Sequence, residues 1–517
     1  MQFHNPIIPG YNPDPSICRA GDTFYIVNSS FEFFPGVPVH ESKNLVNWSY
    51  TGHVLDRESQ LPLTGCNPSG GIFAPTIRYH DGMFYMITTN VNRMWMNGKA
   101  GNFIVHAKDP KGPWSEPAWI DQMGIDPSIF FDDDGSCWYT GTGRANDGQG
   151  IVLFKLDPMT GEILSDKKII SRGSGGKCPE GPHMYKKDGM YYLMLAEGGT
   201  EFGHMETIGR SETIDGPYTF NPAGPILTAR NDNASGHPIQ CTGHADIVDD
   251  ENGNWWIVSL GTRPIGPMAH HLGRETFLAQ LRWVDGWPVV DCGGLMQLEA
   301  EGDLPHPETV SPVCDNHHYD FAEMKSWPVD FAWLRNPEMK NYALDGTLSL
   351  TGTSERLSTP NTTPTFVGVR QTQFKTISEA QLLTNIPEGC SAGLTAYGIH
   401  THHYDVLITR RYGTLYAQLR KHIYDMEAVV SEIPLPECEK VVLKITSDRS
   451  KYYFAVDAGK GFVELGTALT IGLATEVTEM MTFTGTFIGL FAENGKARFT
   501  NFDYTAEWEG KPEMRIG

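Results

Sequence analysis

The stretch Asn12-Pro13-Asp14-Pro15-Ser16-Ile17-Cys18-Arg19-Ala20-Gly21-Asp22-Thr23-Phe24-Tyr25 decides the reading of this chain, because both of its halves return further on. The second half is a turn containing Gly, a short spacer, and aromatic residues that open an apolar run. It recurs at Asp81-Gly82-Met83-Phe84-Tyr85, Asp134-Gly135-Ser136-Cys137-Trp138-Tyr139, Asp188-Gly189-Met190-Tyr191-Tyr192 and Asn252-Gly253-Asn254-Trp255-Trp256. An Asp-Gly or Asn-Gly pair favours a tight hairpin turn, and the aromatic residues suit a strand. The first half recurs upstream of each copy, as Ala74-Pro75-Thr76-Ile77, Asp126-Pro127-Ser128-Ile129, Glu180-Gly181-Pro182-His183-Met184 and Gly243-His244-Ala245-Asp246-Ile247. Two linked elements returning in order every 53 to 64 residues describe a unit long enough for a four-stranded sheet with its turns. Five such units predict a five-bladed β-propeller ending near residue 300.

The composition agrees. Of 517 residues, 40% are hydrophobic and 11% aromatic, with 55 Gly, a mixture that suits turn-rich β structure and leaves enough apolar residues for sizeable cores. Acidic residues outnumber basic ones by 22, so the surface field repels phosphate backbones and anionic headgroups, and neither nucleic acid nor membrane is an expected partner. The start, Met1-Gln2-Phe3-His4, carries no basic and apolar leader pattern. Nine scattered cysteines without a C-x-x-C pair read as buried thiols of a reducing compartment, and the expected location is cytoplasmic. Sequons at Asn28, Asn47, Asn233 and Asn361 point weakly the other way.

In a propeller the innermost strands converge on a central channel, so equivalent residues of different repeats meet there. With the first residue of each upstream element at the start of an inner strand, the ring reads Asp14, Ala74, Asp126, Glu180 and the pair Gly243-His244. Three carboxyl groups that close cannot all ionise without penalty, which leaves an acid beside a base at neutral pH. Glycoside hydrolysis needs that pairing. His244 is either a packed channel histidine or a group that holds water, substrate or a metal ion.

These residues resemble glycoside hydrolase family 43. Asn5-Pro6, Asn12-Pro13-Asp14-Pro15-Ser16-Ile17, Gly124-Ile125-Asp126-Pro127-Ser128 and Glu180-Gly181-Pro182-His183 are similar to its acid motifs. Ala196-Glu197-Gly198-Gly199-Thr200, Leu272-Gly273-Arg274-Glu275-Thr276 and Asp285-Gly286-Trp287-Pro288 are similar to its two-domain bacterial β-xylosidases. The resemblance implies single-step inversion, with Asp14 as general base, Glu180 as general acid and Asp126 as the carboxylate that orients Glu180 and keeps its pKa high. It implies that Arg274 grips sugar hydroxyls and that Phe31, Phe34 and Phe73 line the same pocket. Close relatives carry Trp where Phe34 and Phe73 stand, which bears on the exact sugar. It implies no organic cofactor, allows a calcium ion near His244 held through water, and allows a homo-oligomer.

After Trp287 the repeat fades into Glu301-Gly302-Asp303-Leu304-Pro305-His306-Pro307-Glu308. The chain therefore divides into a catalytic domain at 1–300, a linker at 301–315 and a second domain at 316–517. Runs such as Tyr404-Asp405-Val406-Leu407-Ile408 and Val441-Val442-Leu443-Lys444-Ile445 read as strands, and some two hundred residues of this kind predict a lectin-like antiparallel β-sandwich. Thr482-Phe483-Thr484-Gly485 resembles the loop with which this domain covers the pocket in the two-domain enzymes, and Phe483 would wall off room for one terminal sugar.

The expected activity is exo-cleavage of terminal xylose from β-1,4-xylo-oligosaccharides. Arabinofuranose from arabinoxylan fragments is the alternative sugar, and a non-catalytic sugar-binding protein is the alternative class. A lectin would not need the carboxylate trio. Asp132-Asp133-Asp134-Gly135 reads as a hairpin turn, because Cys137 stands where a calcium loop needs Gly. His400-Thr401-His402-His403 reads as solvated surface.

Overall fold

The computed structural model describes residues 1–232, 236–266, 268–307, 315–479 and 482–509. The first three hundred residues form five successive antiparallel sheets. Each runs through its strands in chain order: Ser16–Ala20, Thr23–Val27, Gly36–Ser42 and Ser49–Leu55 make the first, and Gln240–Asp249, Trp255–Thr262, Glu275–Val284 and Trp287–Val290 the fifth. The fourth sheet carries one extra short strand, Leu227–Thr228. The repeated turn joins the first two strands of every sheet, and its aromatic residues open the second strand.

The first strands are Ser16–Ala20, Thr76–His80, Ser128–Phe131, Glu180–Lys187 and Gln240–Asp249. Each lies against its successor, and the last returns to the first. Gln2–His4 pairs with Glu299–Glu301, tying the two ends of this region together. On the inner strands Asp246 is fully buried and gathers the neighbouring sheets: Ser16 Oγ donates to Asp246 Oδ2 at 2.7 Å, Arg78 Nη1 at 2.7 Å, and Tyr185 Oη reaches Asp246 Oδ1 at 2.5 Å. Arg78 Nη2 also meets His183 Nδ1 at 3.0 Å, and Ser128 Oγ meets the same nitrogen at 3.2 Å. One polar knot thus draws a side chain from each of the five sheets.

The second region is two packed antiparallel sheets. Eight strands form one, with Gly495–Glu507 at its centre, and six form the other, from Thr365–Arg370 to Met426–Pro434. Lys375–Leu383 alternates buried and open positions, as a strand with one face on a core should. A single core cluster draws Leu382, Leu443 and Phe499 from one sheet and Leu394, Val406 and Leu490 from the other. The two regions are joined by backbone: Trp333–Leu334 pairs with Phe33–Phe34, and the Arg335 N–H donates to the Glu32 carbonyl at 2.7 Å.

Three expectations need correction. His402 and His403 are fully buried, His403 beside Asp405 at 3.0 Å, because their strand lies inside the six-stranded sheet rather than at the surface. Cys178 and Cys292 are exposed thiols, each beside or within a left-handed turn, while Cys18, Cys66, Cys137, Cys241 and Cys390 are buried as expected. The sequon at Asn28 is fully buried and its side-chain amide is spent on the Asn12 and Pro13 carbonyls, so it is no glycan acceptor in the folded chain. Asn233, Cys314 and part of the expected linker lie outside the described residues. The Asp132 turn is a hairpin, with Lys186 Nζ 2.8 Å from both Asp132 and Asp133. No described helix is long and apolar enough to cross a membrane.

Candidate active site

Asp14, Asp126 and His244 share a backbone feature that no other local rule demands: each has positive φ, at 50°, 56° and 47°. Each also stands two residues before an equivalent inner-strand position, Ser16, Ser128 and Asp246. The left-handed kink turns these side chains off the strand and toward the mouth of the ring, and Asp and His tolerate it better than most residues. In the fourth sheet that position belongs to Gly181, with φ 55°. Glu180 therefore stands one residue before the kink, where Asp14 and Asp126 stand on it. A register shift between Glu180 and His183 accommodates the extra residue. Gly181 is required for a second reason: a Cβ there would stand 2.8 Å from His244 Nε2.

Asp14 is buried and fully bonded. Ser29 Oγ donates to its Oδ2 at 2.5 Å, Arg274 Nη1 donates to its Oδ1 at 3.1 Å, and His244 Nδ1 lies 3.7 Å from Oδ1. Burial alone would raise its pKa, but Arg274, His244 and the Ser29 hydroxyl outweigh burial and hold it below the usual carboxylate range. Glu180 moves the other way, pushed up to about 7 by burial and by the negative charge of Asp14. Asp126, beneath the Gly181 N–H at 3.3 Å, is raised well above the usual range by burial, Glu180 and Asp14. At neutral pH the cluster therefore holds one firm carboxylate in Asp14 and one poised acid in Glu180, with Asp126 shifted upward beside them. The charge that lifts Glu180 is Asp14's.

Arg274 is buried and spans both regions of the chain. Besides Asp14 it donates to Thr200 Oγ1 at 2.9 Å and to the Phe483 carbonyl at 3.2 Å. Its guanidinium carbon lies 5.6 Å from the Phe31 ring centre and 5.3 Å from that of Phe483. Phe31, Phe73 and Phe483 meet one another at 5.2 to 5.8 Å between ring centres, making an apolar wall beside the carboxylates. The Phe483 N–H donates to Ser69 Oγ at 2.9 Å, so the second region closes one rim of the pocket. Phe34 does not join this wall. Its strand pairs with Trp333, and its ring packs into the cores on either side of that junction.

Trp95 went unnoticed in the sequence. It is 56% exposed, on the helix Val91–Asn97, and its ring meets Phe73 edge-on at 5.7 Å. Asn90 caps that helix and Gly98 ends it in the left-handed region. The Asn90-Val91 start inside a β pattern was the only available signal.

Among the described residues no three His, Cys, Asp or Glu side chains are gathered to hold a metal ion. Calcium takes about six to eight oxygen ligands. His244 Nδ1 lies 3.7 Å from Asp14 Oδ1, itself held by Arg274, and a second guanidinium, Arg78, lies on the same inner strands. An ion near His244 would therefore be held through water rather than by a ring of protein oxygens, and no step below passes through a metal.

A buried carboxylate facing a poised carboxylic acid at the mouth of a β ring, walled by aromatic rings, defines a glycoside hydrolase. Residues 3–288 match the model of glycosyl hydrolases family 43, and residues 318–505 match that of the beta xylosidase C-terminal concanavalin A-like domain. The chain belongs to glycosyl hydrolases family 43. It is 43% identical to a non-reducing end alpha-L-arabinofuranosidase of Bacteroides ovatus, over 97% of this chain and 93% of that protein. A xylosidase/arabinosidase of Butyrivibrio fibrisolvens is 38% identical over 97% of this chain and 98% of its own. The crystal structure of a xylan beta-1,4-xylosidase from Bacillus halodurans superposes with a TM-score of 0.90, at 33% identity over 97% of this chain and 100% of that one.

Proposed function

We propose that residues 1–300 are a five-bladed propeller, that 301–315 link it to a sandwich domain at 316–517, and that the pocket performs exo-acting, inverting release of a terminal pentose. Asp14 is the general base, Glu180 the general acid and Asp126 the positioning carboxyl. The observation that carries this reading is the split among the three, one held ionised by Arg274 and one lifted to about 7. A base must be deprotonated and an acid protonated at the same pH, and this environment supplies both.

Asp14 takes a proton from a water as that water attacks the anomeric carbon, and Glu180 gives its proton to the departing oxygen. Attack from the opposite face inverts the anomeric centre, which needs about 6.5–9.5 Å between the two carboxyls. Arg274 binds sugar hydroxyls while fixing Asp14, and the ring faces of Phe31, Phe73 and Phe483 pack on the pyranose or furanose. The Phe483 loop, bonded to Ser69 and Arg274, would close that side of the pocket and limit attack to a terminal unit. Trp95 stands where the rest of the oligosaccharide leaves the pocket.

Xylose from β-1,4-xylo-oligosaccharides is the first sugar. Arabinofuranose is about equally supported, because the relative at 43% identity is an arabinofuranosidase. Parallel assays on nitrophenyl β-D-xylopyranoside and α-L-arabinofuranoside, with product anomers followed by NMR, decide between them. Asp14→Ala and Glu180→Ala should each lose about 10³-fold in kcat with the fold retained. Full activity in either, or retention of anomeric configuration, would overturn the assignment. The cytoplasmic location is carried forward with this reading, supported by eight described cysteines that are all free thiols.

A further inference from the structure

We propose that a cavity between the two domains, separate from the catalytic pocket, is a second binding site for an uncharged, hydroxyl-rich ligand of one or two sugar rings. The cavity measures about 440 Å³ and is bounded by Tyr50 of the first sheet and Trp48 just before its last strand, by Asn12, and by Asp315, Asp330 and Arg370 of the second domain. Pockets of about 300–1,000 Å³ suit ligands of this size.

The chemistry of the lining selects the ligand. Arg370 is a buried cation whose Nε donates to the Tyr11 carbonyl at 2.8 Å, and its guanidinium lies over the Tyr11 and Phe487 rings at 5.4 and 5.7 Å. Among the described residues no carboxylate stands within ion-pair distance of it. Across the cavity stand two carboxyls, Asp315 and Asp330, the latter beside His317 at 3.4 Å. An anion would meet those carboxyls and a cation would meet the guanidinium. An apolar ligand would strip water from both carboxyls and from the face of the guanidinium, an expensive outcome in a buried place. A sugar offers donors and acceptors together with an apolar ring face for Trp48 and Tyr50. His40 lines the same cavity, stacked on Tyr50 at 4.7 Å, and its buried Nδ1 has no partner among the described residues.

The site is adjacent to catalysis. Asn12 borders the cavity and Asp14, two residues on, is the proposed base. Tyr11, held by Arg370 on one side, packs on Phe31 of the catalytic wall at 6.2 Å.

D-xylose and L-arabinose are the probes, and equilibrium dialysis with radiolabelled sugar is the measurement. The wild-type chain should bind two sugars at saturation, and Arg274→Ala, which disables the catalytic pocket, should keep one. Trp48→Ala and Asp330→Asn should each lose the second while hydrolysing an aryl glycoside within about twofold of wild type, which also shows that they fold. One sugar per wild-type chain, or two still bound in both cavity variants, would overturn the proposal. A failed catalytic assignment would show instead as unaffected hydrolysis in Asp14→Ala or Glu180→Ala.

Discussion

Replacing Glu180 by Gln should make the protein more stable at pH 8 and leave it unchanged near pH 4.5. The Glu180 carboxyl rises from an ordinary 4.5 to about 7 because the fold buries it and sets it beside the negative charge of Asp14. Between those two values the folded chain holds a proton that the unfolded chain has released, so folding stability falls as pH rises. The cost is absent below pH 4.5 and complete above pH 7. A shift of that size corresponds to at most about 3 kcal/mol at 1.36 kcal/mol per pH unit. Asp126 competes for the same proton, which brings the expected gain at pH 8 to about 1–3 kcal/mol. Gln keeps the shape and cannot ionise. Urea unfolding followed by tryptophan fluorescence at pH 4.5 and pH 8 reads the difference from the midpoints at constant slope. A variant equally offset at both pH values, or less stable at pH 8, would refute the electrostatic account of the site. Lost hydrolysis alone would leave that account undecided, which is why stability is the sharper readout.

Wild-type kcat/KM should fall on the alkaline side with an apparent pKa of about 7, set by Glu180, and on the acid side only below the ordinary aspartate range, because Arg274, His244 and Ser29 outweigh the burial of Asp14. Asp246→Asn should destabilise the chain by about 3–5 kcal/mol, since it leaves the Arg78 guanidinium without its charge partner, and Arg78→Met combined with Asp246→Leu should recover much of that in a double-mutant cycle. Trp95→Ala should raise KM for xylobiose by about three- to tenfold with kcat unchanged, a loss of the size expected for one aromatic contact. Dialysis against EDTA tests the calcium ion allowed near His244: a loss of kcat or Tm restored by calcium would show an ion held there through water, and no change in either would remove it from the account.

The repeat was legible because one turn chemistry serves every sheet. A Gly in the turn serves every hairpin, in four of them as an Asp-Gly or Asn-Gly pair, and four of the five inner strands carry a left-handed kink that Asp, His and Gly tolerate, at Asp14, Asp126, Gly181 and His244. That same rule does not tell that the kink of the fourth sheet falls on Gly181 and not on Glu180. A sequence shows which residues resemble one another, whereas a bulge changes which of two neighbours occupies the kink, and only the pairing of Glu180 with Ala196 and His183 with Met194 reveals the shift. Phe34 failed for a related reason: neighbouring aromatic residues on a strand point to opposite sides, and the side facing the second domain depends on a contact with Trp333, some three hundred residues away. Arg78 lies outside the quoted repeat elements, and Asp246 lies inside one without standing out in it. An Arg beside Tyr79 and an Asp beside Ile247 look like surface residues until the ring closes and buries them together. Their pairing also explains why the carboxylates at the mouth can differ so much in charge. Asp246 is held down to about 2 against its own burial by Arg78 and His183, so it stays ionised with its own counter-charge. Arg274 is then left to bond Asp14, Glu180 feels that guanidinium only through space and less than it feels burial and the Asp14 charge, and the acid and the base are separated by which carboxyl the arginine bonds.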